Sequence, residues 1–297
     1  MFSQHNAYGL AVWAPAKVNL FLEVFGKRAD GFHEIATLMV TVTLYDTLEF
    51  KEDPRGNVAL WSDNSGISTG PDNLVCRAAE LVRNHLKIRQ GVQVGLRKRI
   101  PLGAGLAGGS SDAAATMFGL NRLWKLGLSR ADLTELGAQI GSDVPFFFSG
   151  PVAWCTGRGE KVEPLSLDKP FWLVLVCPVV GLSTAEVYRH VQVPATPMTG
   201  AEIRRAVKEG NVAEVGKWLH NRLESAAQIL CPALAEIRAR LASVAPAGQL
   251  MSGSGTSHFA LCRERKEAFR LARALLHGSD KRFCPTVLPV RNCVDLA

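Results

Sequence analysis

Along the first third of the chain, apolar and polar residues alternate in short runs. Val18, Leu20, Leu22 and Val24 alternate with Asn19, Phe21, Glu23 and Phe25, which predicts a strand covered on both faces. Leu38, Val40, Val42 and Leu44, with Thr41 and Thr43 between them, predict a second strand. The polar segment 26–31, with glycine at each end, joins them, so an antiparallel pair is expected. Residues 55–72 are rich in Gly, Ser, Asn and Asp and read as turns and loop. Leu74, Ala78, Leu81 and Leu86 then recur at helical spacing. Val92, Val94 and Leu96 return to alternation, and Ala113, Met117, Leu120 and Trp124 return to a helix. Ser129, with Asp132 and Glu135 behind it, suits the start of a further helix.

Beyond Ser149 the pattern changes. Residues 171–177 predict a buried strand that Pro178 ends, which places a domain boundary between Ser149 and Phe171. The expected domains are 1–160 and 161–297. Helical spacing follows over 199–208, 212–219, 222–229 and 232–244. A glycine-serine loop at 251–258, a strand around Phe259 and Leu261, a helix over 265–276 and a strand near 286–290 complete the chain. Both halves read as α+β.

The 297 residues are 47% apolar and 21% charged, ordinary values for a globular protein with room for two packed domains. A net charge of +7 admits anionic ligands. The excess is dispersed, its densest cluster being Arg97, Lys98 and Arg99, so no nucleic-acid-binding face is expected. Seven cysteines stand singly, without a Cys-x-x-Cys pair, against both a disulfide framework and a structural zinc site. They suit a reducing cytoplasm. The N-terminus lacks a signal-peptide pattern, and the most apolar run, 171–182, is too short to span a bilayer.

The chemistry concentrates at 101–112, Pro-Leu-Gly-Ala-Gly-Leu-Ala-Gly-Gly-Ser-Ser-Asp, between a predicted strand and a predicted helix. Gly103, Gly105, Gly108 and Gly109 permit positive φ and close approach of a ligand. The helix beyond offers unpaired N–H groups and its positive dipole end to phosphate, with Ser110, Ser111 and Asp112 expected as caps. Gly103, Gly105 and Gly108 spell a dinucleotide fingerprint, but no second strand follows as that motif requires. The loop would also be a P-loop if Gly109 were lysine. Further on, Asp143 sits between a Gly-Ser turn and an apolar run. Two compatible readings follow: it is expected to have a cationic or donor partner, and it suits the cap of a short helix starting near Val144 and Pro145.

Four segments, 15–20, 101–111, 141–145 and 252–256, resemble in order and spacing the GHMP kinase superfamily. The run 28–34, Arg-Ala-Asp-Gly-Phe-His-Glu, is similar to a segment of the members whose substrate is a diphosphocytidyl methylerythritol. The resemblance implies a two-domain α+β fold with an active-site cleft between the domains. It implies transfer of the γ-phosphate of ATP, with Mg2+, to the 2-hydroxyl of that substrate. Lys17 and Asp143 fall on the family's catalytic positions. Pro101, Leu102, Gly103, Ala104, Gly105, Leu106, Ala107, Gly108, Gly109, Ser110 and Ser111 would wrap the ATP phosphates, with Ser110 or Ser111 near the metal ion. Asn19, Phe32, His33, Thr184 and Tyr188 fall on substrate-contacting positions, the last as an aromatic that stacks on cytosine.

Three departures stand out. Phe32 replaces tyrosine, Ala104 and Ala107 replace glycines of the loop, and Arg222 replaces the aspartate of an Asn-Asp-Leu-Glu segment. Rival readings are a mevalonate-type or homoserine-type GHMP kinase, a non-catalytic ligand sensor or nucleic-acid binder, and a dinucleotide oxidoreductase. The 28–34 segment opposes the first, and retention of both Lys17 and Asp143 opposes a sensor.

Overall fold

A computed structural model describes residues 1–6, 9–167, 169–277 and 286–293. In chain order the first half contains β1 (Phe2–Asn6), β2 (Gly9–Lys27), β3 (His33–Asp53), β4 (Val58–Ser62), α1 (Leu74–Leu86), β5 (Gly91–Arg97), α2 (Gly108–Leu123), α3 (Arg130–Ile140), α4 (Phe146–Ser149), β6 (Val152–Gly157) and β7 (Lys161–Pro164). The second half contains β8 (Trp172–Cys177), α5 (Thr184–Arg189), α6 (Ala201–Lys208), α7 (Val212–Lys217), β9 (His220–Asn221), α8 (Glu224–Leu230), α9 (Ala233–Ser243), β10 (Gly248–Met251), β11 (His258–Cys262), α10 (Arg265–Leu276) and β12 (Thr286–Arg291).

The first sheet runs β1-β2-β3-β5-β4, with β6 and β7 continuing from β3 and β9 joining β2. The expected antiparallel pair of β2 and β3 is its spine. The segment 55–72 is not all loop: β4 pairs in parallel with β5. β4 alternates in burial, but its outward positions are Ala59 and Trp61, the latter 60% exposed, so no apolar-polar alternation marks it in sequence. The second sheet runs β10-β11-β8-β12, all antiparallel.

The period-two side-chain alternation of β8 builds the layers. Leu173 and Leu175 enter a core shared with Val18, Leu20 and Val40 of the first sheet. Val174 and Val176 enter a core with Leu234, Leu241 and Leu271 of the helices behind. A third core lies between the first sheet and α1 to α4, around Phe50, Met117, Leu120 and Phe146. Each buried leucine or phenylalanine contributes about 1.5–3 kcal/mol through the area it removes from water.

The two halves are also joined by charge. Arg222, just after β9, donates from Nε and Nη2 to the two carboxylate oxygens of buried Glu23, at 2.7 and 2.8 Å. Met198 N–H, at 3.1 Å, and His220 Nε2, at 3.2 Å, complete the cluster. Burial works against the charge on Glu23. The Arg222 pair and the Met198 and Val24 N–H groups outweigh burial and hold the carboxyl down to about 2. The departure at Arg222 is thus a tie between the halves. Among the described residues Cys76, Cys155, Cys231, Cys262 and Cys293 form no disulfide, and Cys284 lies outside the described residues. Among the described residues no helix is long and apolar enough to cross a membrane.

Candidate active site

Strand β2 supplies the first half of the site. Ala16, Val18 and Leu20 enter the core between the sheets, so Lys17 and Asn19 face the opposite way. Lys17 is buried, and its Nζ donates to Asn19 Oδ1 at 2.7 Å and to the Gly105 carbonyl at 3.0 Å. Asn19 Nδ2 donates in turn to Thr37 Oγ1 at 2.8 Å. Asp143, in the turn between α3 and α4, brings Oδ2 to 3.7 Å from Lys17 Nζ. Burial pushes the ammonium below the ordinary lysine range, and the Asp143 charge pulls it back. Asp143 therefore has the cationic partner expected for it. It does not cap α4: Pro145 holds that position and no side chain bonds the helix end.

The glycine loop and α2 face this pair. Gly103 (φ 60°) and Gly105 (φ 74°) take left-handed conformations, as does Ala107 (φ 53°), whereas Ala104 does not. The helix begins at Gly108, earlier than its apolar spacing suggests. Gly108 and Gly109 are thus helical, and Ser110, Ser111 and Asp112 lie inside the first turns rather than capping them. No side chain caps α2, because its N-cap residue is Ala107; Ser111 Oγ instead donates to the Pro15 carbonyl at 2.7 Å, and Asp112 accepts from Lys98 Nζ at 2.7 Å. A helix start without a side-chain cap leaves its first N–H groups to a ligand.

The second glycine-serine loop backs the first. A Cβ at Gly105 would stand 2.1 Å from the Ser252 carbonyl oxygen. Ser252 Oγ donates to Gly105 O at 3.0 Å, and Ser257 N–H to Ala104 O at 3.1 Å. Asn221 Nδ2 holds this second loop through Met251 O and Gly253 O, each at 2.8 Å.

A cavity of about 960 Å³ lies against both loops. Lys17, Asn19, Phe32, His33, Asp143, Thr184 and Tyr188 all line it. So do Pro101, Leu102, Gly103, Ala104, Gly105, Ala107, Gly108, Gly109 and Ser110. Leu106 and Ser111 do not: both are buried behind the loop, so only Ser110 of the two serines is available to a metal ion. The bend before β3 is set by Arg28, whose Nη1 donates to Glu34 Oε2 at 2.6 Å, and by Asp30, which accepts from Phe32 N–H at 3.1 Å. It presents Phe32, half-exposed, and His33, whose ring stacks on Tyr188 at 5.0 Å. Thr184 Oγ1 lies 2.8 Å from Ser254 Oγ.

Sequence reasoning passed over Lys98 and Arg158, both of which also line the cavity. Lys98 Nζ bonds both Asp46 and Asp112, and Asp46 also accepts from Ile100 N–H at 2.9 Å, which fixes the chain entering the loop. Burial opposes the Lys98 charge, but Asp112 and Asp46 outweigh it and raise its pKa. Burial pushes the Asp112 carboxyl up to about 7, against the pull of Lys98, and its Oδ1 is buried without a hydrogen-bond partner. The Arg97-Lys98-Arg99 cluster was the only signal of this arrangement in the sequence.

Comparison with known proteins places the chain in a family. The family described as GHMP kinases N terminal domain matches residues 73–151, and GHMP kinases C terminal matches 203–278. A 4-diphosphocytidyl-2-C-methyl-D-erythritol kinase of Exiguobacterium sibiricum is 42% identical over 95% of this chain and 97% of its own. The protein of that name from Geobacillus thermodenitrificans is 41% identical over 96% of this chain and 99% of its own. The crystal structure of a 4-(cytidine 5'-diphospho)-2C-methyl-D-erythritol kinase superposes with a TM-score of 0.79 at 34% identity, covering 95% of this chain and 99% of that one. A homoserine kinase from Cytophaga hutchinsonii, 19% identical with a TM-score of 0.76 over 99% of this chain and 97% of its own, shares the fold. The chain thus belongs to the GHMP kinases, in the family of the 4-diphosphocytidyl-2-C-methyl-D-erythritol kinases.

Proposed function

We propose that this chain transfers the γ-phosphoryl group of ATP to the 2-hydroxyl of 4-diphosphocytidyl-2-C-methyl-D-erythritol, a step in non-mevalonate isoprenoid precursor synthesis. The observation that carries the reading is Lys17 and Asp143, 3.7 Å apart beside an uncapped glycine-loop helix. Phosphoryl transfer requires positioning and charge stabilisation more than covalent chemistry. The α2 N-terminus and the loop backbone hold the phosphates. Asp143 accepts or orients the proton of the attacking hydroxyl, and Lys17 favours the developing alkoxide.

Mg2+ would neutralise phosphate charge during transfer. Ser110, whose residue lines the cavity, fits a hard cation that also keeps phosphate oxygens and water. Burial, then the charge of Lys27, lowers the His33 pKa, so its ring is neutral near pH 7 and can both donate to and accept from a cytosine edge. Cysteines that stand singly along the chain suit work in a reducing cytoplasm. The test is to supply purified protein with ATP, Mg2+ and the diphosphocytidyl alcohol and read the product by phosphorus NMR. A new phosphate on the 2-hydroxyl is expected; no transfer to that alcohol, with turnover of mevalonate or homoserine in parallel assays, would overturn the reading.

A further inference from the structure

We infer that Arg158, assisted by Lys27, forms the subsite that reads the diphosphate of the acceptor substrate. The inference rests on the proposed function and adds two residues to its site. The charged side chains lining the cavity are Lys17, Lys27, Lys98, Arg158, Arg189 and Asp143. Three of the five cations are already engaged. Lys17 faces Asp143, Lys98 is held by Asp46 and Asp112, and Arg189 pairs with Glu186 at 2.9 Å. Among the described residues, no carboxylate makes an ion pair with Lys27 or Arg158. Asp30, which feels the charge of Arg158, is already clasped by Arg28.

Position identifies the ligand group. The Arg158 guanidinium lies 5.0 Å over the Phe32 ring and donates from Nη2 to Ala138 O at 2.9 Å. The next residue, Gly159, is so close to the Asp143 carboxylate that a Cβ there would stand 3.8 Å from its Oδ1. Arg158 thus belongs to the wall between the hydroxyl-activating pair and the aromatic side chains. Lys27 is the cross-strand partner of His33 in the β2–β3 ladder, beside the same aromatics. The substrate has the same order: the acceptor alcohol, two phosphates, then cytidine. A planar guanidinium held at one nitrogen and free at the others matches paired phosphate oxygens, whereas the exposed Lys27 adds a diffuse charge.

The test compares cytidine 5'-diphosphate with cytidine as ligands of the full chain by calorimetry, alongside steady-state kinetics. The wild type is expected to bind the diphosphate more tightly than the nucleoside. Arg158→Met should weaken diphosphate binding and raise the KM of the acceptor by about ten- to a hundredfold, leaving cytidine affinity and the KM of ATP unchanged. Arg158→Lys should recover part of the loss. Lys27→Met, at an exposed position where folding is not at risk, should raise the KM of the acceptor by about two- to fivefold, the more so at low salt. An Arg158→Met protein that keeps the wild-type ratio of diphosphate to nucleoside affinity overturns this subsite alone. A wild type that binds neither ligand overturns the kinase reading beneath it.

Discussion

Lys17 Nζ stands 2.7 Å from Asn19 Oδ1 but 3.7 Å from Asp143 Oδ2. The ammonium is fixed by an amide and a backbone carbonyl, not by the acid. The acid is consequently near enough to feel the charge and loose enough to take a hydrogen bond from a substrate hydroxyl. Asp143→Asn should lower kcat by about 10²–10⁴-fold while the KM of ATP stays within a few-fold. Steady-state kinetics measures both, and near-normal turnover would remove Asp143 from the mechanism.

The glycine loop makes a prediction by contrast. Gly103 and Gly105 share a left-handed φ, but a Cβ at Gly103 meets nothing within 4 Å, whereas one at Gly105 meets the Ser252 carbonyl at 2.1 Å. Gly103→Ala should cost about 1–2 kcal/mol, the penalty of the conformation alone. Gly105→Ala should cost about 2–5 kcal/mol, because steric overlap is added. Urea denaturation of the two variants is the check, and equal costs would contradict the packing of one loop on the other. Ala107, also left-handed, should tolerate glycine, with a net change of about 0–1 kcal/mol.

The Glu23–Arg222 tie predicts acid sensitivity. The Glu23 pKa falls from an ordinary 4.5 to about 2 on folding, so its contribution is present above pH 4.5 and is lost as pH falls toward 2. Arg222→Met takes the guanidinium from a buried carboxylate, leaving it only the His220 ring and backbone N–H groups, and should cost about 3–5 kcal/mol at pH 7. The double variant with Glu23→Gln should cost less than the sum of the single changes. Strict additivity in that cycle would count against a coupled pair.

Asp112 predicts the opposite pH dependence. Its pKa rises on folding to about 7, so stability should decline as pH rises from about 4 through 7, the span in which only the unfolded chain ionises freely. Asp112→Asn should remove that decline. Thermal melts of both proteins from pH 4 to 8 give the comparison, and identical slopes would refute it.

What was legible in the sequence follows the range of the forces involved. Alternation in β2 and β3 and the spacing of α1 are local patterns, and the Ser129 cap with Asp132 is a local hydrogen-bond exchange, so all were readable. The start of α2 was not: its first turn is Gly-Gly-Ser-Ser, poor in helix formers and without a side-chain cap, and it is held from outside by Pro15 and Lys98. Lys17 and Asp143 were singled out through motif order, since no local pattern of residues links two positions with 125 others between them. Lys98 and Arg158 escaped because a cation looks solvated in sequence until the fold supplies its carboxylates or withholds them.

The contact between Gly105 and Ser252 has a further consequence. The glycine loop is moulded on a surface contributed by the other end of the chain. A fragment ending before Ser252 would contain every letter of the glycine motif and still lack the template that shapes it. In this protein the motif's chemistry belongs to the finished whole and cannot be cut out with its letters.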